Sequence, residues 1–339
     1  MQTRHRISPQ QLADEILWAA SSPHMLVHPH YPPARSHALA QACAVAQSDA
    51  SRDMRGELTT YAQTMVMRSH FLGVRFEQAF LAACRFFGPD TVCEANLQVA
   101  HEGQTLGEFD LLLNGPEGGV HQELAVKFYL GVPGGGGHHI WFGPGQRDRL
   151  DLKLEALLQR QLRLSEDTSA VDLLASLGIV VSQVELVIKG YLFYPLASTV
   201  SLPESRSNEL TSAMLLIQDL LTPEHCRGYW VSQGNMAQLR AFGDQWVILH
   251  KHVWLQPVRM SADAALRFDR FVNHVEDYFA RETVEQLNTA AERGLRSARP
   301  LMAVALRMAD GVLVEKVRIF ITPDDWADRA LQHLAPQLR

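Results

Sequence analysis

Paired cysteines, long apolar runs and an excess of positive charge are all missing from this sequence of 339 residues. Its four cysteines (Cys43, Cys84, Cys93, Cys226) show no CxxC spacing, so neither a zinc knuckle nor a disulfide framework is indicated. No stretch is apolar for the length that a bilayer requires, and polar residues soon after position 9 break any signal-peptide core. We therefore expect a cytoplasmic protein with reduced thiols and no membrane contact.

The charge balance limits the classes of partner. A formal net charge of −6 argues against a basic coat that binds nucleic acid tightly without specificity. It leaves room for a local basic groove beside an acidic metal site. A content of 47% hydrophobic and 20% charged residues is ordinary for a globular protein with a sizeable core, and the length suits two domains or one core with additions.

The first part of the chain predicts a helical extension over residues 1–62. Leu12, Ile16 and Leu17 recur at helical spacing, and the alanine-rich segment His37–Gln47 predicts a second helix. Prolines enforce a loop between them. That loop also carries three histidines. We expect it to be a structural loop, and a metal site is the less favoured alternative.

A helix, a β-meander, a helix and a strand are predicted in that order within residues 63–200. Glycines, prolines and asparagine mark the turns of the meander. A glycine-rich stretch, predicted as a mobile surface loop or a flap over a substrate, separates the meander from the second helix. The elements are the helix Val74–Phe87, the strands Leu97–His101, Leu106–Leu113 and Gln122–Leu130, the loop Gly131–Gly145, the helix Asp148–Leu164 and the strand Val184–Tyr194.

Residues 201–339 predict a mixed α/β C-terminal region. Its aromatic residues fit a core better than a base-stacking platform. The predicted elements are the helix Glu209–Leu221, the β-rich stretch Tyr229–Val258, the helix Ala262–Leu287, the hairpin Leu301–Thr322 and the helix Trp326–Leu334.

The meander carries the residues that could perform chemistry. Asp110 lies inside an otherwise apolar strand, and alternation along the next strand puts Glu123, Ala125 and Lys127 on one face. A charge on a half-buried strand needs a partner, because an unpaired buried charge is costly. Two explanations remain open: a structural ion pair of Asp110 with Lys127, or a metal site beside a lysine that orients the attacking water.

These residues carry a resemblance to a known superfamily. A helix with Glu77, followed by strands bearing Gly-Glu-Phe-Asp and a terminal Val-Lys, resembles the PD-(D/E)XK nucleases, which include Holliday-junction resolvases and restriction endonucleases. The runs Glu123–Leu130 and Gly143–Lys153 also resemble a family of uncharacterised bacterial proteins known only as a domain of unknown function. The broad resemblance covers less than half of the chain. It implies a restriction-endonuclease-like core of mixed α/β class.

The same resemblance implies roles for individual residues. Asp110 matches the metal-binding aspartate, Lys127 the catalytic lysine and Glu77 the helix glutamate that often completes a Mg²⁺ or Mn²⁺ site. Ala125 departs from the pattern, because a carboxylate belongs two residues before the lysine. Glu123 lies about 13 Å from Lys127 along a regular strand at ~3.3 Å per residue. Either Glu77 or Glu123 replaces the missing ligand, or the site is degenerate.

The second predicted helix offers candidate contacts to phosphate. Arg149, Lys153 and Arg160 fall near one face, although interleaved acidic residues also fit a solvated helix with ion pairs. Gln161 continues an apolar stripe and either supports Lys127, as a glutamine does in related nucleases, or bonds to backbone.

Two functions follow as hypotheses. The first is a Mg²⁺-dependent nuclease acting on DNA or RNA, with Asp110 and Glu77 or Glu123 as metal ligands and Lys127 positioning water. The second is a catalytically degenerate nuclease-fold module that binds nucleic acid or a protein partner. Ala125 and the acidic net charge favour the second.

Overall fold

The chain folds as a mixed α/β protein with two units. Unit 1 comprises residues 1–127, 154–190 and 220–225, and unit 2 comprises residues 128–153, 191–219 and 226–339. The computed structural model describes residues 7–67, 69–88, 91–115, 118–196, 200–203, 206, 210–293 and 299–334. No helix among these residues has the length and apolar character that spanning a membrane requires.

Unit 1 begins with helices that pack on one another. The first starts at Pro9, where the missing N–H costs nothing, and the Ser8 hydroxyl accepts a hydrogen bond from the Gln11 amide. It contacts each of the next three helices. The helices predicted within residues 9–62 and at Val74–Phe87 are confirmed as α1 (Pro9–Ser21), α2 (Ala34–Ser48), α3 (Met54–Gln63) and α4 (Leu72–Phe87).

The predicted meander is also confirmed, and it forms the sheet of unit 1. Its strands pair in antiparallel fashion in sequence order, and a later strand lies beside the third one. Leu164, Ala170 and Leu174 cover one side of this sheet. The strands are β1 (Thr91–His101), β2 (Gln104–Gly115), β3 (Gly118–Gly135) and β5 (Val181–Pro195), and both β3 and β5 continue into unit 2.

Between these strands, the prediction of one long helix at Asp148–Leu164 is only partly right. The α-helix α5 covers Leu150–Gln159, and a 3₁₀ helix then runs over Gln161–Glu166. A further helix, α6 (Thr168–Ser176), which the sequence did not reveal, starts at an Asp167 side chain that accepts from the Ser169 amide.

The glycine-rich stretch in unit 2 is a hairpin, so the prediction of a loop over its whole length is wrong. Gly131 lies in β3 and packs against Trp141 of β4 (His138–Phe142), since a Cβ at position 131 would come within 2.7 Å of that ring. Gly136 and Gly137 both have positive φ, which a tight two-residue turn requires.

The remaining strands of unit 2 form a mixed sheet. β5, β6 and β11 run parallel, and β10, β7 and β9 continue the sheet in antiparallel pairs, so the predicted hairpin at residues 301–322 is confirmed. Trp246 stacks on Phe271 of the long helix in the core. The elements are α7 (Ser212–Leu220), β6 (Cys226–Ser232), β7 (Gln245–Leu249), β8 (Arg259–Met260), β9 (Leu266–Arg267), α8 (Phe268–Arg293), β10 (Leu301–Ala309), β11 (Val312–Thr322) and α9 (Trp326–Gln332).

Candidate functional site

Asp110 lies where the pairing of β2 with β3 ends. The ladder runs from Gly115 opposite Gly118 to Leu111 opposite Gln122. The next residue along β2, Asp110, turns its carboxylate toward β3, and its Oδ2 accepts a hydrogen bond from the Leu124 amide at 2.8 Å. The aspartate is half-buried. The side chain therefore bridges the point where the two strands separate, beside the strand that carries Glu123 and Lys127.

Glu123 is fully buried and hydrogen-bonded to a histidine. The His121 Nε2 lies 2.9 Å from the Glu123 Oε1, and neither residue is exposed. Burial lowers the pKa of His121 to about 4, against the opposing charge of Asp110. The imidazole is therefore neutral at pH 7 and shares a hydrogen bond with the glutamate through its Nε2. His121 was missed by the sequence reasoning, although its spacing of two residues from Glu123 puts both on one strand face.

Lys127 is half-buried, and β5 approaches its backbone closely. Gly190 of β5 has φ of +127°, and a Cβ at this position would lie 1.8 Å from the Lys127 carbonyl oxygen. Only glycine permits this approach. The backbone of Lys127 is therefore fixed by a neighbouring strand, while part of its side chain reaches solvent.

Glu77 and Gln161 are half-buried on other elements of unit 1. The Glu77 carboxylate extends along α4 toward Gly73, within 3.8 Å of the Cβ position there. Gln161 opens the 3₁₀ helix, so it does not continue the α-helical stripe of α5 that the sequence predicted. Within the described ranges, no three histidine, cysteine, aspartate or glutamate side chains are grouped as metal ligands are. Asp110, Glu123 and Glu77 are thus not brought together as a three-ligand centre.

The basic residues predicted to contact phosphate have different surroundings. Arg149 precedes α5 and makes two hydrogen bonds to Asp151, at 3.1 and 2.7 Å, with 12% of its side chain exposed. Its guanidinium is therefore committed to this carboxylate. Lys153 is half-buried within α5, and Arg160 is exposed just after that helix.

Several charged side chains that the sequence reasoning did not identify hold unit 1 together. Glu185 accepts from the Gln122 amide nitrogen at 2.7 Å and from the Arg35 backbone amide at 2.9 Å, near the start of α2. Burial raises the pKa of Glu185. Lys189 is fully buried and donates to carbonyl oxygens at the end of α1. Glu185 and Lys189 are fully buried, which distinguishes them from the half-buried Asp110 and Lys127.

The histidine-containing loop between α1 and α2 also carries a buried side chain that is hydrogen-bonded within the protein. His24 lies 2.9 Å from the Ser36 hydroxyl, and its ring packs edge-on against His37. Burial, and then the charge of Lys189, lowers the pKa of His24 to about 3. A neutral, buried imidazole bonded to a serine accounts for this position without a ligand.

The fold and the site define a mixed α/β protein with an acidic residue and a lysine on neighbouring strands of a meander. The chain belongs to the family described as a domain of unknown function, DUF1853, whose model matches residues 14–322. The comparisons with curated proteins and with solved structures gave no match.

Proposed function

We propose that the protein is a Mg²⁺-dependent nuclease that hydrolyses phosphodiester bonds in DNA or RNA. One observation carries the proposal. Asp110 reaches from β2 to the Leu124 amide of β3, so its carboxylate lies beside the strand segment that bears Glu123 and Lys127. The PD-(D/E)XK resemblance implies an acid and a lysine on neighbouring strands of a meander, and this contact supports that assignment for Asp110 and Lys127.

The carboxylates suit a hard cation in their chemistry and number. Mg²⁺ keeps several waters and is usually held by one or two carboxylates together with substrate phosphates, so a third protein ligand is not required. Asp110 and Glu123 would hold it, and His121 interacts with both, by charge with the first and by a hydrogen bond with the second. When bound, the ion would stabilise charge on the phosphate and lower the pKa of a water.

The protein's own groups would supply the remaining steps. Lys127 would donate a hydrogen bond to the attacking water and orient it, since its backbone is held by the close approach of Gly190. His121 would keep the Glu123 carboxyl group oriented through their hydrogen bond. Glu77 and Gln161 remain supporting candidates on α4 and the 3₁₀ helix.

The experiment measures Mg²⁺ and Mn²⁺ binding and the cleavage of linear, single-stranded and branched DNA and of RNA. Asp110→Asn keeps an oxygen acceptor for the Leu124 amide, so we expect it to fold and to lose both metal binding and cleavage. Glu108→Gln is the matched control, because Glu108 lies two residues away on β2 and accepts from the exposed side-chain amides of Asn96 and Gln98. Chelation with EDTA should abolish cleavage by the wild type.

A catalytically degenerate module that binds nucleic acid or a protein partner is the second candidate. Ala125, which is 7% exposed, stands where a carboxylate would precede the lysine. Glu123 is already satisfied in part by His121. A folded wild type that binds neither metal ion and cuts no substrate would favour this candidate and overturn the first.

A further inference from the structure

Two pairs of aromatic rings lie on neighbouring strands of one sheet face of unit 2. Trp141 of β4 packs edge-on against Tyr194 of β5, with ring centroids 5.1 Å apart. Tyr194 lies opposite Tyr229 in the parallel pairing of β5 with β6, and the Tyr229 ring lies 5.7 Å from that of Phe242. These four residues, together with Arg227, are called the aromatic strip below.

Tyr229 is the exposed ring of the strip, because Trp141 is 2% exposed and Tyr194 and Phe242 are half-buried. Trp246 and Phe271 in the core are fully buried, whereas Tyr229 is 37% exposed and lies on the same strand as the exposed Arg227. Tyr229 and Arg227 are two residues apart, so their side chains project from the same face of β6. A large ring that is left in contact with water beside a cation is available to a ligand.

The charge of the strip is positive even though the whole chain is acidic. The Arg227 guanidinium lies over the Tyr194 ring, 5.4 Å from its centroid, and among the described residues it has no carboxylate partner. The exposed Lys316 is anchored by a hydrogen bond from its Nζ to the Phe242 carbonyl oxygen at 2.7 Å. Two cations thus border a row of rings.

We propose that the aromatic strip binds single-stranded nucleic acid. An unpaired base stacks on the exposed Tyr229 ring, while Arg227 and Lys316 contact the phosphates, which is the combination that single-strand binding surfaces on β-sheets use. A duplex keeps its bases stacked inside and would gain only the phosphate contacts. The strip lies in unit 2 and Asp110 in unit 1, so this binding goes beyond the proposed hydrolysis and does not depend on its chemistry.

The test is fluorescence anisotropy of a labelled 20-nucleotide poly-dT, its RNA equivalent and a duplex of the same length, at low salt. EDTA is present, so the proposed cleavage cannot interfere. We expect Tyr229→Ala to weaken binding to single strands by about 5- to 150-fold, the value of one stacked base. Tyr229→Phe, which keeps the ring, should bind as the wild type does.

The contribution of the Arg227 charge is tested against a matched control variant. Arg227→Gln should weaken single-strand binding more than Arg259→Gln, which removes the same charge from an exposed position on β8. Wild-type protein that binds no single strand, or binds the duplex as tightly, overturns the proposal. So do Tyr229→Ala and Arg227→Gln variants that fold and bind as the wild type does. Loss of cleavage in Asp110→Asn with binding retained would separate this strip from the proposed catalytic site.

Discussion

Replacing Lys189 with methionine would remove one ammonium group from the interior of unit 1. Lys189 is fully buried, and its Nζ donates to the carbonyl oxygens of Ala19, Ala20 and Ser22 at 2.8, 3.1 and 2.8 Å. These carbonyls lie at the end of α1, where a helix has no N–H groups of its own to satisfy them. A positive charge at this position also complements the helix dipole.

The expected cost follows from the three carbonyls. Methionine keeps most of the volume of the lysine stem but donates no hydrogen bond, so each buried oxygen loses a donor at ~1–3 kcal/mol. The variant also avoids burying an ammonium ion, which offsets part of this loss. We therefore expect Lys189→Met to lower the free energy of unfolding of unit 1 by ~3–5 kcal/mol.

The assay must report on unit 1. Urea unfolding followed by hydrogen exchange of peptides from residues 9–21 does so, and Trp18 supplies a fluorescence signal there because the other five tryptophans lie in unit 2. Lys251→Met is the control, because Lys251 is exposed and its loss should change stability by less than ~0.5 kcal/mol. Lys189→Met with unchanged exchange in α1 and a loss below ~1 kcal/mol would refute the reasoning.

Two further predictions concern unit 1. Since the pKa of His24 is about 3 when folded and 6.5 in its ordinary state, the contribution of His24 to stability should be complete above pH 6.5 and fall toward pH 3, by about 2 kcal/mol at pH 5. Urea unfolding across this range should show the free energy of unfolding falling as the pH falls. The same pH dependence in His24→Asn would contradict its assignment to His24. Gly190→Ala should cost ~3 kcal/mol or more, because its Cβ would lie 1.8 Å from the Lys127 carbonyl oxygen. At Gly73 on α4 a Cβ would lie 3.8 Å from the Glu77 carboxylate, so Gly73→Ala should instead stabilise the protein by ~0.5–1 kcal/mol. If urea unfolding gave the same change in stability for both variants, the close approach at Gly190 would not be the cause.

The regular elements could be predicted because their signals are local. The apolar stripe of Val74–Phe87 and the alternation of the meander each specify an element within one stretch of sequence. The glycine-rich hairpin escaped prediction because consecutive glycines look like a loop, although Gly136 and Gly137 supply the positive φ of a tight turn. The ending of α5 before Gln161 was missed because apolar spacing continues past the last α-helical residue.

The candidate site was only half predictable for a related reason. Sequence patterning places Asp110 and Lys127 on neighbouring strands, but it cannot indicate that the Asp110 carboxylate would reach the Leu124 amide. Sequence patterning also does not reveal hydrogen bonds between residues that are far apart in the chain. Lys189 serves carbonyls about 170 residues earlier in the chain, and Glu185 accepts from an amide 150 residues earlier. No local pattern encodes such partners.

The degree of exposure distinguishes charge that holds the fold from charge that is available for chemistry. Lys189 and Glu185 are fully buried, and the hydrogen bonds of each reach groups that the fold must satisfy. Asp110 and Lys127 are half-buried on neighbouring strands of the same sheet, where solvent reaches them. Glu123 is buried like the structural charges, but it lies on β3, the strand that also carries Lys127. Whether Glu123 holds a metal ion or only orders β3 therefore decides between an active and a degenerate site, and the metal titration of the wild type addresses that choice directly.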